Sequence, residues 1–247
     1  MQNNIRFVYF GSSEFSKLIL KELVDHGFTP ALSITSAHEP LDKEKLESIN
    51  ADVFIVASFG KILPDWLIYM PKFKTLNVHP SLLPKLRGPS PIQGAILSGE
   101  KTGVTIQRIN ERMDEGPILA QKEVELPLNL GYSETERILA KVGGEMLVEI
   151  LPKYINGEVK EVEQTNESTS YTKMIRKENA DITNDSPEIA LRKVRAYEIW
   201  PRARKGELVI TKAHIEDNKF VPDRVIPPGK KEMEYKDYLR GNPKVIF

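Results

Sequence analysis

Apolar residues in the first quarter of the chain come in short unbroken runs, IRFVYF at 5–10 and DVFIVA at 52–57, each followed by small or polar residues. Runs of that length without polar alternation suit strands buried on both faces, as in a parallel sheet covered by helices. Residues 31–35, 74–79 and 103–109 are three further β-favouring stretches. Elsewhere the spacing turns helical. After Gly11-Ser12-Ser13, with a serine placed to cap, Leu18, Leu20, Leu23 and Val24 fall roughly on one face. Short helices are expected at 42–48 and 91–97. A long amphipathic one is expected at 133–155, with Ile138, Leu139, Val142, Met146 and Ile150 toward the sheet. Such alternation predicts an α/β domain with a mostly parallel, Rossmann-like sheet. A single glycine after the first strand does not make the G-x-G-x-x-G phosphate cradle, which excludes NAD or FAD binding there.

Two polar, turn-rich stretches interrupt the pattern, at 126–131 and 157–170. The second is expected to be a linker between a catalytic domain at 1–156 and a small C-terminal domain at 171–247. Composition narrows the function classes. With 35 Lys and Arg against 35 Asp and Glu the chain carries no formal net charge, which argues against a generally basic nucleic-acid binder. The absence of cysteine excludes disulfides, thiolate catalysis and cysteine-ligated metals. Four histidines, His26, His38, His79 and His214, without an HExxH pattern, give no expectation of a metal site. No run approaches the roughly 18 apolar residues that span a bilayer. Met1-Gln2-Asn3-Asn4 leads straight into the first strand, so a cytoplasmic protein with neither leader nor membrane partner is expected.

The candidate chemistry lies between 76 and 116, LNVHPSLLPKLRGPSPIQGAILSGEKTGVTIQRINERMDEG. Pro80 stops the 74–79 strand, because proline cannot donate to a sheet ladder. Asn77 and His79 therefore project together at its C-terminal end, with Val78 toward the opposite layer. That end is where open α/β sheets place ligands. Asp114 follows the next β run on a loop. An amide donor, an imidazole and a carboxylate suffice for acyl transfer to an amine, two holding an oxyanion and the third removing a proton. The same residues also fit a plain structural role, Asn77 capping a turn, His79 a satisfied core histidine and Asp114 opening a turn before Gly116.

SLLPKLRGPSPIQ, TGVTI and MDEGPIL together closely resemble the signature of the folate-dependent formyltransferases. The resemblance places that family's catalytic residues on Asn77, His79 and Asp114. It implies 10-formyltetrahydrofolate as co-substrate, bound at the loop Phe59, Gly60, Ile62, Leu63 and the loop Ser81, Leu82, Leu83, Pro84. The opening at Gly11 resembles the G-T-P-x-F of methionyl-tRNA formyltransferases, with two serines replacing Thr-Pro. YTKMIRKENADI, RKVRAYEIWPRARKGELVITKAHIED and the closing VIPPGKKEMEYKDYLRGNP resemble the same branch. It differs in having Ile199-Trp200-Pro201 for the usual Pro-Trp-Pro and Asn184 near the usual Trp. The branch's long basic insertion after the second strand is missing, since 36–50 is too short to contain it. Charged initiator tRNA is the partner this implies, with a nucleotide-linked amino sugar as the alternative acceptor, and a reduced, OB-like β domain is expected at the C-terminus. From 192 to 231 basic residues outnumber acidic ones, eleven against five. Arg192, Lys193, Arg195, Arg202, Arg204 and Lys205 are thus the expected phosphate track.

Overall fold

The computed structural model describes residues 5–127 and 129–242. The expectation of no leader at residues 1–4 and the last proline of the closing segment lie outside them. The chain divides into two units. The first takes the chain up to Pro91, Lys101–Glu125 and Glu136–Thr172; the second takes Ile92–Glu100, Leu126–Thr135 and the chain from Lys173 onward.

The first unit is built on a six-stranded sheet. Its strands β1 (Phe7–Phe10), β2 (Leu32–Ile34), β3 (Val53–Val56), β4 (Thr75–His79), β5 (Thr102–Arg108) and β6 (Ile118–Val124) lie in the order β2-β1-β3-β4-β5-β6. The first four are parallel; β5 runs antiparallel to β4, and β6 antiparallel to β5. Every residue of β1 and β3 is buried, as their unbroken apolar runs require. The strand order reverses between β1 and β3, and there the two following loops are tied together: Ser12 Oγ donates to the carbonyls of Ser58 at 3.2 Å and Phe59 at 2.8 Å.

The helices are α1 (Glu14–Asp25), α2 (Lys43–Ile49), α3 (Asp65–Ile68), α4 (Pro91–Ser98) and α5 (Tyr132–Ile155). Ser13 and Ser16 close a capping box at the start of α1, each backbone N–H meeting the other's hydroxyl. The buried stripe of α1 is Phe15, Ile19 and Leu23, and Val24 is 45% exposed, so the face is rotated from the one expected. In α5 the buried residues include Leu139, Gly143, Met146, Leu147 and Leu151, while Ile138, Val142 and Ile150 are only half-buried. Two glycines cause this displacement. A Cβ on Gly143 would come within 2.8 Å of Val78 Cγ1, and one on Gly144 within 2.5 Å of Glu22 Cβ. The helix thus meets the sheet and α1 along its glycine side, closer than any side chain permits.

Residues 157–170, expected as a linker, fall inside the first unit. Val162 exchanges backbone hydrogen bonds with Ile118 at 2.8 and 2.9 Å, extending the sheet beyond its edge strand β6. Arg108 grips Glu161 with Nε at 3.0 Å from both carboxylate oxygens and Nη2 at 2.9 Å, and the contact raises the guanidinium's pKa. The stretch is polar because its partners are polar groups on the sheet rim, and composition alone does not separate that from solvation.

The second unit holds a four-stranded antiparallel sheet, β7 (Arg204–Lys205), β8 (Leu208–Glu216), β9 (Lys219–Ile226) and β10 (Met233–Glu234), in the order β10-β9-β8-β7. Helices α6 (Pro187–Ala196) and α7 (Tyr235–Gly241), with α4 from Ile92 onward, complete it. Ser186 caps α6, and Ile182, Ala190, Val194, Ile210 and Val225 form its core. The β8–β9 hairpin turns at Asp217 and Asn218, both at positive φ, the pair a two-residue hairpin loop favours. Among the described residues no helix is long and apolar enough to cross a membrane.

Candidate active site

Strand register brings four polar side chains to one face at the end of β4. Asn77 pairs with Gln107 and His79 with Thr105, and residues opposite one another across antiparallel strands share a face. On the other face Leu76, Val78, Val104 and Ile106 are fully buried. The loop after β5 then returns Asp114 to this polar face. Its Oδ2 accepts from Gly88 N at 2.8 Å, and its Oδ1 accepts from Gln107 Nε2 at 3.0 Å and Asn77 Nδ2 at 3.4 Å. His79 Nδ1 stands 3.5 Å from the same oxygen, and Nε2 donates to the Leu86 carbonyl at 3.0 Å. The imidazole is 4% exposed, and each ring nitrogen faces an acceptor. Nδ1 thus faces the Asp114 carboxylate while Nε2 is held by the Leu86 carbonyl. Asn77 commits one of its two Nδ2 hydrogens to Asp114.

Asn77, His79 and Asp114 thus converge, and the structure adds residues that sequence reasoning missed. Gln107 was legible in the polar-apolar alternation of TGVTIQ, which puts Thr105 and Gln107 on one side. Gly88 and Leu86 act through their backbones, for which side-chain identity carries no signal. Gly116 closes the Asp114 loop so tightly that a Cβ would fall 1.8 Å from the Arg108 carbonyl oxygen.

The residues expected to bind a ligand at the two loops divide by burial. Phe59 is 2% exposed, its ring edge-on to Phe10 at 5.6 Å, and Leu63 joins the same apolar cluster. Ile62 is 84% exposed, an apolar side chain standing free beside Gly60, whose φ is +74°. In the other loop Ser81 and Leu83 are buried and Leu82 and Pro84 half-buried. Thr105 organises that loop. Its hydroxyl donates to the Ser81 carbonyl at 2.7 Å and accepts from Leu83 N at 3.2 Å, while Ser81 Oγ donates to the Lys85 carbonyl at 2.7 Å.

The basic stretch of the second unit is not a continuous free stripe. Arg192 donates to the carbonyls of Leu97 at 3.1 Å and Ser98 at 2.9 Å, at the C-terminal end of α4. Lys193 pairs with Asp185 at 2.7 Å and donates to the Asp181 carbonyl at 2.7 Å. Arg204 donates to the Pro201 carbonyl at 3.2 Å. Arg195 is half-buried, and loss of solvent, with the Arg192 charge beside it, lowers the pKa of its guanidinium. Arg202 is exposed and so is Trp200. Exposed and structural cations look alike in a sequence, which is why the charge count overstated the track.

Comparison with known proteins gives one family. A family model described as formyl transferase matches residues 12–151. The methionyl-tRNA formyltransferase of Chloroflexus aggregans is 43% identical over 180 residues, covering 72% of the chain and 58% of that protein. That of Thermotoga maritima is 36% identical over 235 residues, covering 81% of the chain and 75% of that protein. The chain thus spans between about half and three quarters of these relatives' lengths. Among solved structures, methionyl-tRNA formyltransferase from Clostridium thermocellum superposes with a TM-score of 0.71 at 19% identity, over 93% of this chain and 99% of that one. The formyltransferase PseJ from Anoxybacillus kamchatkensis, solved with a UDP-linked formamido sugar and tetrahydrofolate, gives a TM-score of 0.57 at 25% identity over 70% of this chain and 88% of that one.

Proposed function

The chain belongs to the formyl transferase family, and on that premise we propose that it moves a formyl group from 10-formyltetrahydrofolate to the amino group of methionine on charged initiator tRNA. The observation that carries the reading is the convergence of Asn77, His79 and Asp114 on one face at the C-terminal end of a parallel strand. The amine nitrogen attacks the formyl carbon, whose oxygen takes up the negative charge. Asn77, with its second N–H, and His79, with a proton on Nδ1, hold that oxyanion. Asp114 accepts the proton lost by the amine, directly or through a water. The bond from the formyl carbon to N10 then breaks, and N10 is protonated. No covalent enzyme intermediate is needed, and the gain comes from donors already aimed at the developing charge.

The co-substrate lies between the loops at 59–63 and 81–84, with Ile62 as an apolar wall and Phe59 and Leu63 anchoring their loop in the buried apolar cluster. An exposed, unpartnered isoleucine at the strand-order reversal supports this placement. For the acceptor, support comes from sequence similarity to methionyl-tRNA formyltransferases that continues beyond the catalytic domain. Arg202 is the cation of the basic stretch that we assign to tRNA phosphate, with Trp200 beside it. A charged tRNA as substrate fits a cytoplasmic protein.

The test offers charged initiator tRNA and a nucleotide-linked amino sugar to the same enzyme preparation with 10-formyltetrahydrofolate. Formylation of the tRNA with no turnover of the sugar is the expected result; the reverse makes this a sugar formyltransferase. In the same assay Arg202→Asn, which suits the residue's φ of +66° while removing its charge, is expected to raise KM for the tRNA and leave kcat unchanged. It is also expected to reduce the slope of log affinity against log salt by about 0.9, one phosphate contact.

A further inference from the structure

Gln164 lies in the polar stretch that the catalytic motifs do not include, 50 residues from Asp114. Its amide is enclosed by groups of fixed character. Nε2 donates to the carbonyls of Asp114 at 2.9 Å and Gly116 at 2.7 Å, and reaches Gln107 Oε1 at 3.2 Å. Oε1 accepts from Arg87 Nε at 3.2 Å and Nη2 at 2.7 Å. A guanidinium only donates and a carbonyl only accepts, so the reverse orientation of the amide would oppose like groups at every contact. Arg87 is itself 1% exposed, with Nη1 3.2 Å from the Tyr171 hydroxyl and 3.5 Å from Glu115.

Asp114 needs such support. It holds a φ of +57°, a left-handed conformation unfavourable for a residue with a side chain. Its carboxylate is aligned from one side by Gly88, Gln107 and Asn77, while its own peptide carbonyl accepts from the Gln164 side chain.

We propose that Gln164 is a positioning residue for the transfer reaction: it ties the Asp114 loop to buried Arg87 and thereby keeps the Asp114 carboxylate against Asn77 and His79. This rests on the functional reading above and adds a residue to its machinery. A purely structural alternative has Gln164 fastening residues 157–170 to the sheet through Arg87, with no effect on Asp114.

Two variants separate these. Gln164→Glu keeps the acceptor for Arg87, and so the fastening, but presents a carboxylate to the carbonyls of Asp114 and Gly116. Gln164→Met removes both contacts at similar volume. In steady-state formylation, kcat is expected to fall roughly 10- to 100-fold in both, the scale of a misplaced catalytic group, with KM for 10-formyltetrahydrofolate within about twofold of wild type. Combined with Asp114→Asn, either substitution is expected to cost less than about a further twofold, because residues acting as one unit are not additive. Wild-type kcat in Gln164→Glu, or a full loss that persists on the Asp114→Asn background, overturns the positioning role alone. A wild type that transfers no formyl group, or an Asp114→Asn variant of undiminished kcat, overturns the functional reading and the positioning role with it.

Discussion

Asp114 spends conformational energy to stand where it does, since a non-glycine residue at positive φ costs on the order of 1–3 kcal/mol. The cost is offset by hydrogen bonds to its carboxylate, the one from Gly88 N at 2.8 Å being the shortest. Ile62 is the opposite case, an apolar side chain with no protein surface to cover it. Ile62→Asp therefore leaves the free protein's stability near wild type, because the new charge is already solvated. Binding is another matter: a folate ring against that charge removes its water without a partner. We expect at least a roughly tenfold weaker Kd for 10-formyltetrahydrofolate by calorimetry, with an unchanged unfolding midpoint. An unchanged Kd would place the co-substrate elsewhere. At this scale much of the site was legible. Asn77 and His79 sit two apart before a strand-ending proline, and Asp114 falls in a recognisable MDEG turn. Gln164 was not, because nothing local distinguishes a glutamine that holds a loop from one that faces water.

Single glycines decide how the elements meet. Helix α5 accepts two at its centre despite a cost of about 1 kcal/mol each relative to alanine. The return is contact with the sheet directly behind its polar face: Val78, against which Gly143 packs, lies between Asn77 and His79 in β4. Gly143→Val inserts three carbons where even a Cβ meets Val78 Cγ1 at 2.8 Å and Val104 Cγ1 at 3.4 Å. Overpacking of this kind typically costs about 1–3 kcal/mol. Urea unfolding is expected to show a loss in that range, and a variant as stable as wild type would mean that α5 lifts from the sheet without penalty. Strands β1 to β5 were legible to within two residues at each end, whereas β6 and the four strands of the second unit were given no bounds. Helix faces were less legible. The stripe of α5 was misplaced because apolar residues were counted and glycines were not, although the close approach is made at the glycines.

Across the whole chain, neutrality hides an uneven distribution of charge, and burial then decides which charges are available. Of the six cations expected to track phosphate, Arg192, Lys193 and Arg204 are engaged within the second unit, which leaves Arg202 as the exposed member with the clearest claim. Residues 157–170, expected as a linker, lie within the first unit, where Val162 pairs with Ile118 at the edge of the sheet. Long-range pairing of Val162 with Ile118 and of Gln164 with Asp114 has no periodic signature, and so composition suggested a linker. The central claim is that a preorganised amide, imidazole and carboxylate perform formyl transfer to charged initiator tRNA. Single-turnover formylation of that tRNA at saturating 10-formyltetrahydrofolate, in wild type and Asn77→Ala, tests it most directly. The account predicts transfer by the wild type and a rate roughly 100- to 1000-fold lower in a folded variant, the loss expected for one oxyanion donor. No transfer by the wild type, or an undiminished rate in Asn77→Ala, would contradict it.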